Sequence, residues 1–223
     1  MRNWRSAIIF GVLYAVIISW GLELSLDRIF MVFFGSGIAH KVTTLWGINV
    51  LRILFMFFFL KWLNLTWSDL WRGKLSFRQL GLAVLCILPL LLLIGIPALI
   101  MKSYQPQIVG EYQYFLELAS GGRGLALLAL FSQYVYYVIE VLSVNMLYLG
   151  SAKFIGKRNA IVIPVIFWGA MHIFQALSRP LPIAIAVAIL TSIEAGIAYC
   201  YVYKTDNMKG PILMFLIIVI FAI

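Results

Sequence analysis

Long apolar runs separated by short polar segments occupy most of the chain. About 20 apolar residues in a helix cross a bilayer, and on that measure the pattern predicts seven spans, at about 6–22, 44–63, 80–101, 124–150, 159–178, 182–203 and 210–223. Within lipid, a helix satisfies its backbone polar groups internally. The sequence therefore predicts an all-α, polytopic transmembrane helical bundle that forms a single integral membrane domain over residues 1–223.

Three segments do not fit the simple pattern of spans and turns. The polar sequence ELSLDR interrupts the first span, and the apolar patch 29–39 that follows is too short to cross alone, so it extends the first helix or lies at the interface. The loop 65–80 is amphipathic and rich in tryptophan, which is typical of a segment at the headgroup level. Residues 102–123 are polar and predict an extramembrane loop with a short surface helix at 110–119.

The composition agrees with a membrane protein and excludes an ordinary soluble domain. Hydrophobic residues make up 64% of the chain and charged residues 11%, against about 25% charged in soluble domains. The net charge of +9 does not indicate nucleic-acid binding, because the basic residues lie in short clusters between apolar runs and not along one face. Membrane lipid is the partner that this composition predicts, and no nucleic acid is expected.

The basic residues also predict an orientation. With seven spans, the side that holds the N-terminus carries eleven of them: Arg2, Arg5, Lys61, Arg72, Lys74, Arg78, Lys153, Lys157, Arg158, Lys204 and Lys209. The opposite side carries five: Arg28, Lys41, Lys102, Arg123 and Arg179. The positive-inside rule then places the N-terminus in the cytoplasm. We expect a multi-pass protein of the cell membrane.

Three titratable residues inside predicted spans are the candidates for chemistry. Glu140, His172 and Glu194 lie on successive spans, about 15, 20 and 14 Å from the predicted cytoplasmic boundary at 1.5 Å per residue. A charge near mid-bilayer costs roughly 2.5–3.5 kcal/mol on insertion scales, so such residues tend to face a bundle interior or a wet cavity. Polar side chains continue the same helix faces, namely Gln133, Tyr136, Tyr137 and Ser143 around Glu140, and Trp168 and Gln175 around His172. Arg52, in the second span, is a further buried charge, either structural or functional.

A carboxylate and an imidazole that share a pocket suit water activation, which is the minimum for peptide hydrolysis. Glu140, His172 and Glu194 are also plausible ligands for a divalent metal, although a local metal motif such as His-Glu-x-x-His is missing, and no cofactor is expected. Proton-coupled transport uses similar buried groups. A structural role, in which each group is hydrogen-bonded across helices, remains the alternative to all of these.

The sequence around Glu140 and His172 resembles the CAAX-protease and bacteriocin-processing family of intramembrane peptidases, known as CPBP or Abi. The resemblance is strongest over 125–218, the CPBP-like core. The family carries Glu-Glu-x-x-x-Arg on one helix, Phe-x-x-x-His on the next, and His-x-x-x-Asn or Asp on the last. Here EVLSVN keeps the first glutamate as Glu140, and WGAMH keeps the histidine as His172. Replacements stand at the other motif positions: Val141, Asn145, Trp168, Phe215 and Val219.

The resemblance implies an intramembrane endopeptidase that hydrolyses a peptide bond near the cytoplasmic side of the membrane, in a peptide or a membrane-anchored protein. In the family, the first glutamate and the first histidine activate the attacking water, so Glu140 and His172 are the expected catalytic residues. Asn145, Gln175, Tyr137 and Glu194 are the expected supporting residues. Since the later histidine is lost, the alternative is a catalytically lapsed member that acts as a membrane binding or bacteriocin-immunity protein.

Overall fold

The computed structural model describes residues 3–74 and 76–221. Arg2 of the charge count and the last two residues of the predicted seventh span lie outside the described residues. The described chain is helical and contains no strand. The elements are α1 (Trp4–Ile17), α2 (Trp20–Phe34), α3 (Ile38–Trp62), α4 (Trp67–Leu70), α5 (Phe77–Ile100), α6 (Gln107–Leu118), α7 (Arg123–Ile155), α8 (Lys157–Ala160), α9 (Val162–Pro164), a π-helix (Val165–Gly169), a 3₁₀-helix (Ala170–Leu177), α10 (Leu181–Thr205) and α11 (Lys209–Phe221).

The described residues include six helical stretches that are long and apolar enough to cross a membrane. They are Trp4–Phe34, Ile38–Trp62, Phe77–Ile100, Arg123–Ile155, Lys157–Leu177 and Leu181–Thr205. The apolar helix α11, with 13 residues, stands at the place of the seventh predicted span. The prediction of an all-α polytopic bundle is therefore confirmed.

Helix α7 holds the bundle together. It contacts α1, α3, α6 and α11, and its buried residues run along most of its length. A helix surrounded in this way turns polar side chains toward neighbouring helices instead of lipid. Glu140, near the middle of α7, is consequently placed inside the bundle, where it is 7% exposed.

The first span is longer than predicted, and the sequence ELSLDR does not interrupt it. That segment is helical within α2, and the chain breaks earlier, at Ile18 and Ser19. The break is tight: a Cβ added at Gly21 would lie 2.1 Å from the Val16 carbonyl oxygen, so only glycine fits. Glu23 is tolerated in α2 because Arg52 pairs with it inside the bundle.

The fifth span, residues 157–177, is not the uniform α-helix that the sequence predicts. It changes into the π-helix and then into the 3₁₀-helix, which carries His172. The wide turn frees backbone carbonyls, and the Thr191 hydroxyl of α10 donates to the Gly169 carbonyl at 3.0 Å. A Cβ at Gly169 would lie 2.5 Å from Ser192 Cα. This glycine lets the fifth span approach α10 closely.

The segment 102–123 forms more structure than the predicted surface helix. Helix α6 begins at Gln107, ends at Leu118 and packs against α7 and α11. Phe115 of α6 is buried against Ala126 and Ala129 of α7. Helix α6 thus covers one end of the bundle.

Alternating helix directions give the bundle two faces. On the face that holds the N-terminus, the Asn3 amide donates to Phe154 O at 2.9 Å, and the Met208 amide donates to Arg72 O at 2.9 Å. The opposite face, which we call the α6 face, holds α6 and the turns 35–37, 101–106 and 178–180.

Candidate functional site

A cavity of about 770 Å³ lies inside the bundle, within the range of about 300–1,000 Å³ that is typical of ligand sites. Its walls come from eight helical elements and from the loops of the α6 face. The residues that line it are Trp20, Glu23, Lys41, Leu90, Ile94, Ser103, Gln105, Gln107, Gly110, Glu111, Tyr114, Phe115, Gln133, Tyr136, Tyr137, Glu140, His172, Gln175, Arg179, Val187, Leu190, Thr191, Glu194, Phe215, Ile218 and Val219. The cavity therefore brings together Glu140, His172, Glu194, Gln175 and Tyr137.

The cavity is reached from the α6 face. Lys41, Gln105 and Arg179, which line it, stand at or near the turns of that face, whereas Glu140 and Glu194 lie deep in α7 and α10 and form its floor. The sequence predicts hydrolysis slightly toward the face that holds the N-terminus, and this stays a prediction, whereas the loop residues that line the cavity belong to the α6 face.

Trp168 links the two predicted catalytic residues. Its indole N–H donates to Glu140 Oε1 at 2.8 Å, and its backbone carbonyl lies 2.8 Å from His172 Nδ1. The indole and imidazole rings meet edge to face, with centroids 5.5 Å apart. Since one residue holds both groups, the orientation of the carboxylate is fixed relative to the imidazole.

The contact with Trp168 determines the tautomer of His172. A carbonyl oxygen only accepts hydrogen bonds, so Nδ1 carries the proton and donates it. In the neutral ring, Nε2 then keeps a lone pair. The second ring contact of His172 is Trp20, edge to face at 5.4 Å. The arrangement leaves Nε2 as the hydrogen-bonding atom that the imidazole can offer to the cavity.

Glu23 lines the same cavity and was not predicted from the sequence. Arg52 donates to Glu23 through Nη2 and to the Ile18 carbonyl through Nε at 3.0 Å. The Tyr136 hydroxyl donates to Glu23 at 2.8 Å, and the Arg52 guanidinium lies 4.8 Å from the centre of the Tyr136 ring. Tyr136 and Glu140 are one helical turn apart, so this buried pair stands beside Glu140.

Arg52 was expected to be either structural or functional, and its contacts are structural. It is 0% exposed and does not line the cavity. Glu23 could have been found from one signal: a buried arginine in an apolar span needs an acidic partner, and few acidic residues are available in this chain.

Glu194 is the least satisfied of the predicted residues. It is 4% exposed and lines the cavity, yet it makes no side-chain hydrogen bond or ion pair with any residue between 3 and 74 or 76 and 221. Gln175, also predicted, lines the cavity with a buried Oε1 that lacks a partner in that same part of the chain. Glu194 and the Gln175 carbonyl oxygen thus keep hydrogen-bonding capacity that no described residue uses.

Tyr137 belongs to the cavity, but its hydroxyl is already engaged. It donates to Glu111 of α6 and accepts from Gln107 Nε2 at 3.2 Å. The residue therefore ties α6 to α7 across the upper part of the cavity.

Asn145, a predicted supporting residue, does not line the cavity. Its amide nitrogen donates to Leu70 O at 3.0 Å and to Met208 O at 2.9 Å, and its amide oxygen accepts from the Tyr199 hydroxyl at 2.9 Å. These bonds join α7 to the face that holds the N-terminus. The prediction that Asn145 supports catalysis is corrected to an architectural role, because all its polar atoms are used there.

Phe215 fills part of the cavity where the family pattern has its last histidine. Its ring meets Trp168 at 5.7 Å and Tyr137 at 5.6 Å between centroids. An apolar ring thus packs against the indole that binds Glu140. The wall of the cavity at this point offers no hydrogen-bond donor.

The sequence left open whether Glu140, His172 and Glu194 bind a divalent metal. Among the residues of the described chain, no three His, Cys, Asp or Glu side chains come close enough together to hold a metal ion. Glu140, His172 and Glu194 line one cavity without forming such a cluster.

Comparisons with protein-family models, with curated proteins and with solved structures find no match to this chain.

Proposed function

We propose that this chain is a membrane-embedded peptidase, as its resemblance to the CPBP family implies, and that Glu140 and His172 activate the attacking water. The observation that supports this proposal is the joint contact with Trp168, which holds a carboxylate and an imidazole at the wall of one cavity. General acid–base catalysis requires such positioned groups.

In this mechanism, Glu140 removes a proton from a water molecule in the cavity, and the water oxygen attacks the carbonyl carbon of the peptide bond. The Nε2 atom of His172 orients the water. Glu140 then passes the proton to the amide nitrogen, the C–N bond breaks, and the two products carry a carboxyl group and an amino group. The hydrogen bond from Trp168 holds the carboxylate in the position from which it accepts the proton of the water.

The orientation of the protein is part of the proposal. Most of the loop Lys and Arg residues lie on the face that holds the N-terminus, which favours a cytoplasmic N-terminus in the cell membrane. The cavity then receives its substrate from the non-cytoplasmic side. This access replaces the cytoplasmic access that the family resemblance alone implies.

The proposal is tested by Glu140→Gln. The purified, reconstituted protein is incubated with a defined mixture of peptides, and new termini are identified by mass spectrometry. We expect cleavage by the wild type, and a loss of about 10²–10⁴-fold in the variant, the usual contribution of a general base. Glu117→Gln, the same change at an exposed position of α6, is the matched control. Full activity in Glu140→Gln would remove the mechanism.

A lapsed, ligand-binding member of the same fold is the second candidate. The packing of Phe215 against Trp168 favours it, because the site loses a donor for the developing oxyanion. In this case the wild type would cleave no peptide in the mixture, and the cavity would serve binding alone.

A further inference from the structure

Glu194 is a buried carboxyl group that faces the cavity without a partner. It is 4% exposed, and its side chain has no hydrogen-bond or ion-pair partner among residues 3–74 and 76–221. An isolated charge in a low-dielectric interior is costly, and such groups are normally paired. A carboxyl group left in this state at a cavity wall indicates a ligand that supplies the missing donor.

The charged groups nearest to Glu194 do not supply it. Glu140 lines the same cavity as a second carboxyl group and accepts from the Trp168 indole at 2.8 Å. Arg52 is already paired with Glu23, and the Nδ1–H group of His172 already donates a hydrogen bond to the Trp168 carbonyl. Two carboxyl groups therefore share the floor of the cavity, and among residues 3–74 and 76–221 no Lys or Arg side chain forms an ion pair with either.

The cationic side chains that line the cavity stand far from this floor. Glu194 lies thirteen residues from the start of α10 on the α6 face, or about 20 Å, whereas Lys41 lies three residues from the start of α3, or about 5 Å. Arg179 is in the turn before α10. The floor of the cavity thus carries the carboxyl groups of Glu140 and Glu194, whereas its mouth carries charges of both signs, from Lys41, Arg179 and Glu111.

We propose that Glu194 binds a primary ammonium group of the ligand, with Glu140 contributing the second negative charge. An ammonium group has one positive charge and three N–H donors, which complements two carboxyl groups. The proposal rests on the proposed function in taking this ligand to be a peptide substrate. The ammonium group belongs either to a free amino terminus or to a lysine side chain.

The test uses three probes that differ in the ammonium group: leucyl-leucinamide with a free α-amino group, its N-acetylated form with none, and N-acetyl-lysinamide with a side-chain ammonium. Thermal unfolding of the full chain in detergent is followed at increasing probe concentration, because a ligand that binds the folded state raises the unfolding temperature. Wild type, Glu194→Gln and the control Glu117→Gln are compared.

We expect at least one ammonium probe to stabilise the wild type and Glu117→Gln, the acetylated dipeptide to have no comparable effect, and Glu194→Gln to bind at least tenfold more weakly. The probe that binds identifies the source of the ammonium group. Equal shifts with and without the ammonium group, or no shift with any probe at millimolar concentration, would overturn the proposal. So would an unchanged response of Glu194→Gln.

The ligand-free proteins show whether Glu194→Gln folds. Removing an unpartnered buried charge should leave the unfolding temperature unchanged or higher. If this variant fails to fold, Glu194→Asp replaces it, and its shorter carboxyl group is expected to weaken ammonium binding. If peptides are cleaved but neither cleavage nor binding depends on Glu194, the ammonium-binding proposal fails and the proposed peptidase function is retained. If ammonium probes bind through Glu194 but no peptide is cleaved, the peptidase function fails and the ammonium-binding proposal is retained.

Discussion

Arg52 can carry a charge inside an apolar helix because an acidic group, a backbone carbonyl and an aromatic ring bind its guanidinium. Glu23 pairs with Nη2, the Ile18 carbonyl accepts from Nε, and the Tyr136 ring lies against the guanidinium. The carbonyl is available because the first span breaks at Ile18. A buried pair of this kind adds little net stability, but removing one partner leaves the other charge uncompensated.

Replacing Arg52 with Met should therefore lower the free energy of unfolding by about 3–5 kcal/mol. The double variant Arg52→Met with Glu23→Gln should recover most of that loss, since no unpaired charge remains. Denaturant titration of the detergent-solubilised protein measures both. A double variant as unstable as Arg52→Met alone would show that the pair is not the source of the effect.

The residues of the site were predictable to the extent that helix periodicity reveals a common face. Helical spacing predicted that Gln133, Tyr136, Tyr137 and Ser143 share the face of Glu140. The first three line the cavity, whereas Ser143 lies away from it and bonds to the Tyr14 hydroxyl at 3.0 Å. It could not predict the partner of Arg52, because pairing between distant helices depends on their rotation. Asn145 was misread for the same reason: its position in a motif does not reveal that it turns toward Leu70 and Met208.

At the scale of helices, the turn between α10 and α11 is held by charged groups outside the membrane. Asp206 ends α10 with a φ of 52° and accepts from Lys157 Nζ at 2.9 Å and from Arg72 Nη2 at 2.8 Å. The hydrogen bond from Lys157, together with the positive charge of Arg72, lowers the pKa of Asp206 below its ordinary value. Arg72 thus joins this turn to the loop between α4 and α5, and Lys157 joins it to α8.

A lowered pKa in the folded state means that Asp206 stabilises the fold above the pKa of an unfolded aspartate. This contribution is lost as the pH falls through the ordinary aspartate range toward the lower pKa of the folded state. Asp206→Asn, which retains a residue that tolerates positive φ, should cost less than about 1 kcal/mol at neutral pH, because the pairs are exposed. Unfolding measured from pH 7 down to pH 3 checks this. A variant with the same acid sensitivity as the wild type would contradict it.

Helix boundaries were predicted best where polar residues flank a span. Predicted 182–203 corresponds to α10 at Leu181–Thr205. The change of helix type over 165–177 was not predicted, because its apolar residues fit an α-helix equally well. The change coincides with the approach of Gly169 to Ser192 of α10, a contact that exists only after α10 has packed. The cover formed by α6 was likewise predicted only as a short surface helix at 110–119 in an extramembrane loop.

At the scale of the whole molecule, the proposed orientation places α6 and the cavity mouth outside the cytoplasm. Single cysteines report this directly in a background where Cys86 and Cys200 are replaced by Ala. Glu117→Cys on α6 should react with a membrane-impermeant thiol reagent in intact cells, whereas Ser68→Cys on the opposite face should react only after permeabilisation. The reverse pattern would contradict the orientation and return the cavity to the cytoplasmic side.

The central claim is that Glu140 and His172 act together on one water. The most direct measurement is a double-mutant cycle on peptide hydrolysis with Glu140→Gln, His172→Ala and the double variant. Groups that act as a unit are strongly non-additive, so the double variant should retain about the same residual rate as the slower single variant. Losses that multiply in the double variant would show independent roles and contradict the account.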